Sequence, residues 1–318
     1  MSEMEPGQSQ PAETGYVPAS LPPKRRRRLG PLIALAVVVI VVAGSVVGYF
    51  AATGTVAAGY HVTAERALEQ ARTDNNQVAN SLKSPQLGSK SLGEFQDAAS
   101  YQQSMALLRS QFTDLQAHTR RARSLIDIDL LGLHRESDRL HSASDAVLLW
   151  PARGSLQMDR QRVESVAEGF TAARHALDIL MDQETAAIAV VNAMDQFVEI
   201  VPLEQEGDFA NALAMYPHIE AVMQKAVMLS ANPNVPQQLH TLMTAMLTFV
   251  ADNKLLLQAM KARDAQAGDA AVKKLDADQN ALAFDEHGFE AAEDGLLKPY
   301  LDRYNSAMKR AGFHLNTA

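Results

Sequence analysis

The chain is expected to be all-α: one N-terminal transmembrane helix followed by an elongated antiparallel helical bundle with long heptad-patterned helices. Three observations predict this. Pro31 to Phe50 is an uninterrupted apolar run with no charged residue. Beyond it, apolar residues recur at alternating spacings of three and four over long stretches, the signature of helices packed along a seam. Alternating runs of β-branched residues bounded by turn signals, which would mark strands, are missing from residues 60–318.

The apolar run fixes topology. About 20 residues at ~1.5 Å rise span the ~30 Å hydrocarbon core of a bilayer, and a helix satisfies its own backbone polar groups there. Lys24-Arg25-Arg26-Arg27-Arg28 stands immediately before it, and such clusters stay on the cytoplasmic side. Residues 1–28, rich in Pro, Gln, Ser and Glu, have the composition of a disordered cytoplasmic tail, and residues 29–55 form the transmembrane helix and its flank. A cleaved signal peptide ending near Val56-Ala57-Ala58 is the rival reading, but the segment before the apolar run is too long and the run itself outlasts the usual h-region. The location expected is the cell membrane of a bacterium, single-pass, with the bulk extracellular or periplasmic.

Past the membrane, His61 to Leu82 forms a first helix, and Pro85, Gly88 and Gly93 mark a loop. Ala98, Tyr101, Met105, Leu108, Phe112, Leu115, Thr119, Ala122 and Ile126 form a heptad seam whose polar lapse is Thr119. A shorter helix from His134 to Leu149 is expected next, stopped by Trp150-Pro151-Ala152-Arg153-Gly154. From Leu156 to Val201 a second seam runs through Val163, Val166, Phe170, Ala173, Leu177, Leu180, Glu184, Ala187, Val191, Met194, Val198 and Val201, with Glu184 as its polar intruder. So long an apolar stripe needs another helix beside it. The 98–126 helix is the natural partner, and a second copy of the chain is the competing one. Residues 56–202 form this long-helix domain.

Residues 203–318 form a bundle of shorter helices, packed with the preceding domain or separate from it. Gly207-Asp208 opens one helix, Pro217 interrupts it, and Pro236 opens the next. Leu239, Leu242, Met246, Phe249, Asn253, Leu256 and Met260 make a third seam. Gly268-Asp269 is expected to open a helix with Asp269 as N-cap, as Gly207-Asp208 does, which raises the question of a duplicated hairpin. Leu297, Tyr300, Leu301, Tyr304 and Met308 share a face of a last helix, Leu296 to Ala311.

Charge and composition narrow the function. Net charge is −8, of which the tail contributes +2, leaving −10 beyond it. An acidic exported part has no basic footprint for nucleic acid. With no cysteine, disulfides, thiolate metal sites and cysteine nucleophiles are excluded. His134, Asp138 and His141 lie at i, i+4 and i+7 on one helical face, with Asp145 extending the set, and two imidazoles with a carboxylate can hold zinc. Arg135 and Arg139 crowd the same helix, so solvated helix surface is the expectation and no metal, cofactor or catalytic residue is assigned. Met215, Met223, Met228, Met243 and Met246 suit either a thioether copper(I) site or core packing. The acidic residues from Asp276 to Asp294 lack calcium-loop spacing, and Arg109, Arg120, Arg121 and Arg123 form a basic strip. No nucleophile elbow, phosphate loop or Ser-x-x-Lys occurs. The expected function is a non-enzymatic envelope interaction or scaffold module, with the bilayer held by Pro31–Phe50 and a protein partner or a second copy held by helix faces. The alternative is a ligand-binding or sensory bundle with a small pocket among the C-terminal helices. In plan the chain resembles the extracytoplasmic sensory bundles of bacterial receptors, without their second span.

Overall fold

The computed structural model describes residues 30–83, 98–282 and 286–313; the tail of residues 1–28 and the loop expected after Pro85 lie outside them. Among the described residues the protein is helical, with no strand. The helices are α1 (Gly30–Leu82), α2 (Ala98–Asp145), a 3-10 turn (Val147–Ala152), α3 (Arg153–Val198), α4 (Val201–Gln205), α5 (Phe209–Ser230), α6 (Gln237–Ala262), α7 (Ala265–Ala281) and α8 (Glu286–Arg310). The chain divides into two compact units, Met1–Ala52 and Thr53–Ala318.

In the first unit the described backbone is helical, and the side chains of Val42, Val46, Val47, Tyr49 and Phe50 are exposed. The rings of Tyr49 and Phe50 meet edge to face at 5.7 Å. Side chains of most of Pro31–Phe50 lie outside the described residues.

In the second unit the main core joins α1, α2, α3 and α8: Leu68, Ile126, Leu133, Leu140, Phe170, Leu177, Tyr304 and Met308 are among its members. Cross-links fix how these helices pass one another. Along α2 and α3, Arg109 pairs with Asp195, Thr119 with Glu184, Arg123 with Asp178 and Ser137 with Glu164, so position falls on α3 as it rises on α2. On α1, Tyr60 lies under Arg139, and Thr63 donates to Glu136 at 2.7 Å. His61 meets Asp159 and Glu65 meets Arg162, so α1 and α3 climb together. Helix α8 returns with Tyr304 on Asn75 at 2.6 Å and Arg310 on Glu168. Gly169 lets α8 come close: a Cβ there would stand 3.0 Å from the Met308 methyl and 3.3 Å from the Ala307 Cβ.

The far end of α3 joins α5 and α6 in a second core, where Ile200, Tyr216, Ile219, Met223, Met243 and Val250 are buried. Met105, Leu108, Phe112 and Val191 form a third, smaller cluster.

Several boundaries differ from expectation. The separate helix expected at 134–149 is the second half of α2. The seam does not end at Ile126; it continues through Asp129, Leu133, Glu136, Leu140 and Ala143, and Gly132 costs too little to break a helix packed on this scale. Pro151 lies inside the 3-10 turn, and α3 starts at Arg153. Pro217 does not interrupt α5, where burial of Tyr216 and Ile219 on either side outweighs the lost backbone bond. Asp264, not Asp269, caps α7: it accepts from the Ala267 N–H at 3.0 Å after Arg263 turns into the left-handed region. Asp208 does cap α5, after Gly207 at φ 74, so the two Gly-Asp pairs are not equivalent and the duplicated hairpin has no support in the turns. On α6 the burial follows Met243, Val250, Asn253 and Leu257 while Met260 is exposed, because a straight helix drifts off a strict seven-residue repeat. The last helix starts earlier than expected, at Glu286.

One run among the described residues, Val147–Gln205, is long and apolar enough to cross a membrane. Its earlier part gives Val163, Val166, Phe170, Leu177 and Leu180 to the main core and carries the buried acids Asp159 and Glu184. About 33% of its most apolar stretch is buried inside the protein.

Candidate functional site

The polar groups inside the helices form discrete layers. Midway along the α2–α3 seam, Thr119 donates its hydroxyl to the Glu184 carboxylate at 2.7 Å, and both residues are buried. The second Glu184 oxygen has no partner among the described residues. Burial pushes this carboxyl up to about 7, against the opposing pull of the Thr119 hydroxyl and the Arg120 charge. The polar lapse in each of the two seams therefore faces the other, as an i-to-j pair across one layer.

Nearer α1, Asp129 is buried beside Asp74, with one oxygen unpartnered among the described residues. Burial first, then the Asp74 charge and hydrogen bond, raise its carboxyl to about 7. A like charge beside a buried carboxyl favours the protonated form of that carboxyl. Asn75, next to Asp74, accepts from the buried Tyr304 hydroxyl, whose ionisation burial suppresses.

The second core holds a third layer. Asn253 donates to Glu204 at 2.9 Å and to the Tyr216 hydroxyl at 2.8 Å, and burial raises the Glu204 carboxyl despite those bonds. Asn253 thus bridges α4, α5 and α6.

Where the turn end of the bundle approaches α1, His61, Glu65 and Asp159 bring their ligand atoms within 4.8 Å of one another. The His61 Nδ1 is 3.0 Å from Asp159, and Glu65 is taken by Arg162. A guanidinium already neutralises the carboxylate a cation would need, which makes the cluster an ion-pair knot between α1 and α3.

The sequence-derived set is placed differently. His134, Asp138 and His141 are all exposed on α2. His141 receives an Arg160 N–H at 2.8 Å and lies 3.6 Å from Asp145, while His134 lines an open groove. That groove, of ≈ 520 Å³, lies between α2, α3 and α8 and is also lined by Glu164, Glu168, His175, Tyr300 and Arg303. Glu164 is bonded by Arg160 and Ser137, and Glu168 by Arg310, so its carboxylates are already matched.

The remaining candidates resolve into packing and pairing. Met223 and Met243 are buried in the second core, with Met215 and Met246 against it and Met228 exposed. In the basic strip, Arg109 and Arg123 pair with Asp195 and Asp178 on α3, while Arg120 and Arg121 are exposed. In the acidic stretch, Asp278 sits by Asp252 and its carboxyl is raised, by burial first and then by that neighbour. The Asp74–Asp129 pair escaped the sequence reading, although carrying the three-and-four spacing one step past Ile126 lands on Asp129.

No known protein family, curated protein or solved structure matches the chain.

Proposed function

We propose that this chain is a single-pass membrane protein whose N-terminus is cytoplasmic and whose antiparallel helical bundle acts outside the cytoplasm as a non-enzymatic interaction module. The observation that carries it is the uncharged run Pro31–Phe50 behind five consecutive basic residues, with Val42, Val46, Val47 and Phe50 exposed on a helix. Apolar side chains exposed on an uncharged helix suit lipid. The falling partner positions along α2 and α3 suit an antiparallel arrangement in which the polar layers set register. The raised carboxyls Glu184, Asp129 and Glu204 lie between helices and not in the groove beside His134, which favours a structural use for them. Interaction then falls to exposed helix faces. Washing membranes at alkaline pH tests the tether: the protein stays in the pellet, and release into the supernatant would sink the proposal. The groove supports a second reading, a ligand-binding bundle, for which a thermal upshift with a small metabolite is the sign, since a ligand at 100 times its Kd adds ~2.7 kcal/mol.

A further inference from the structure

The α2–α3 connection has the wrong surface for a turn in water. Val147, Leu148 and Trp150 are 86%, 72% and 70% exposed, while Leu149 between them is buried in the main core. One residue pins the turn and three apolar neighbours stand out from it together. Single exposed apolar residues are ordinary, but a contiguous set at the tip of a bundle marks a contact surface.

The helix register places this tip. Tyr60 on α1 is level with Arg139 on α2, and His61 with Asp159 on α3. Moving seven residues back along α1 reaches the buried Thr53, while seven forward along α2 reach Ala146, each about 10 Å at the helical rise. Seven or eight back along α3 arrive at Pro151–Ala152 by the same rise. Both neighbours thus bring the turn to the height of Thr53. Phe50, the last residue of the apolar run, is three residues from Thr53, so the chain cannot separate them by more than about 11 Å whatever the angle between the two units.

We infer that the turn Val147–Ala152 is a membrane-docking wedge, seated in the interfacial layer of the phospholipid bilayer into which Pro31–Phe50 is anchored. The inference rests on the membrane-tether reading above and adds a second foothold to it. Tryptophan is the side chain best suited to that layer, with an apolar body and a polar N–H that headgroups can meet, and Tyr49 with Phe50 provides aromatic residues at the end of the run. Two footholds would hold the bundle at one orientation to the membrane and present a constant face to partners, where a single helix would leave it free to swing.

Trp150 is the only tryptophan in the chain, so its fluorescence reports the wedge without a label. The full chain is reconstituted in phosphatidylcholine–phosphatidylglycerol vesicles, with and without chain-brominated phosphatidylcholine, and vesicle association is read by flotation. The wedge predicts co-flotation, emission blue-shifted from that of the urea-unfolded chain, quenching by the brominated lipid and protection from aqueous iodide. V147D with L148D should lose most of that quenching and still co-float, since both residues are exposed and neither holds the core. Co-flotation with Trp150 open to iodide and unaffected by bromine would overturn the wedge while leaving the tether standing. Trp150 shielded from both quenchers would mean that a second copy or another protein covers the turn, which overturns it equally. Failure to co-float would overturn the tether itself.

Discussion

Replacing Glu184 by Gln isolates the energetic consequence of placing an acid in the α2–α3 seam. The folded carboxyl sits at about 7 against the ordinary 4.5 of a glutamate, so the native state holds its proton more tightly than the unfolded chain does. Under linkage, stability attributable to this group is fully present below the unfolded value and is lost as pH rises through about 7. The difference corresponds to roughly 3 kcal/mol of lost stability near pH 8 and under about 1 kcal/mol near pH 5. Gln keeps an oxygen to accept from Thr119 and never ionises. The variant should therefore be more stable than the parent near pH 8 by up to about 3 kcal/mol and close to it near pH 5. Urea unfolding of the full chain in detergent, followed by circular dichroism at both pH values, measures this. Asp129 titrates in the same window, so the readout is the parent-to-variant difference at each pH. A difference that does not change with pH would refute the assignment of a proton to the seam, and a variant less stable at both would show that Gln's extra donor outweighs the charge.

Other variants probe the remaining layers. Asp129→Asn removes a carboxyl that burial, and then the Asp74 charge, make costly to ionise, and should stabilise near neutral pH by up to about 4 kcal/mol, with the gain vanishing on acidification as the parent takes up its proton; thermal melts at two pH values are sufficient. Asn253→Ala strips the donor shared by Glu204 and Tyr216 and should cost about 1–3 kcal/mol in urea unfolding, since it leaves buried oxygens unmatched. Gly169→Leu would drive a branched side chain into Ala307 and Met308; loss of about 1–3 kcal/mol is expected from such overpacking, with faster hydrogen exchange concentrated in α8. His134→Ala combined with His141→Ala should leave bound metal and melting temperature unchanged within the ~1 kcal/mol of a surface pair, and loss of a stoichiometric metal would contradict the surface assignment.

The long helices were legible because burial along them repeats at helical spacing for many turns, and no other secondary structure places Met105, Phe112, Thr119 and Ile126 on one side. Thr119 and Glu184 were each legible as the polar residue of its own stripe, but that they meet follows from the packing of α2 on α3. Boundaries were harder. Pro217, Gly132 and Gly268 act locally as breakers, yet each lies inside a helix, because a local cost of about 1–3 kcal/mol is small beside the packing of the flanking turns. The carboxyl pair Asp74–Asp129 and the knot at His61 join residues from separate helices, and only the rotation of α1 against α2 and α3 brings them together. Spacing within one helix carries no information on that rotation, which is also why the His134 set looked more organised than its exposed surroundings are. The exposed turn at Trp150 appeared in the sequence only as a stop signal, since exposure of an apolar residue is a property of its neighbours.

The direct test of the tether uses a tag at each end and protease added to intact cells. A bundle outside the membrane, held by Pro31–Phe50, predicts that the C-terminal tag is lost while the N-terminal tag is protected and stays with the membrane fraction. Protection of both tags, or recovery of a soluble chain that has lost its N-terminal tag, would contradict it.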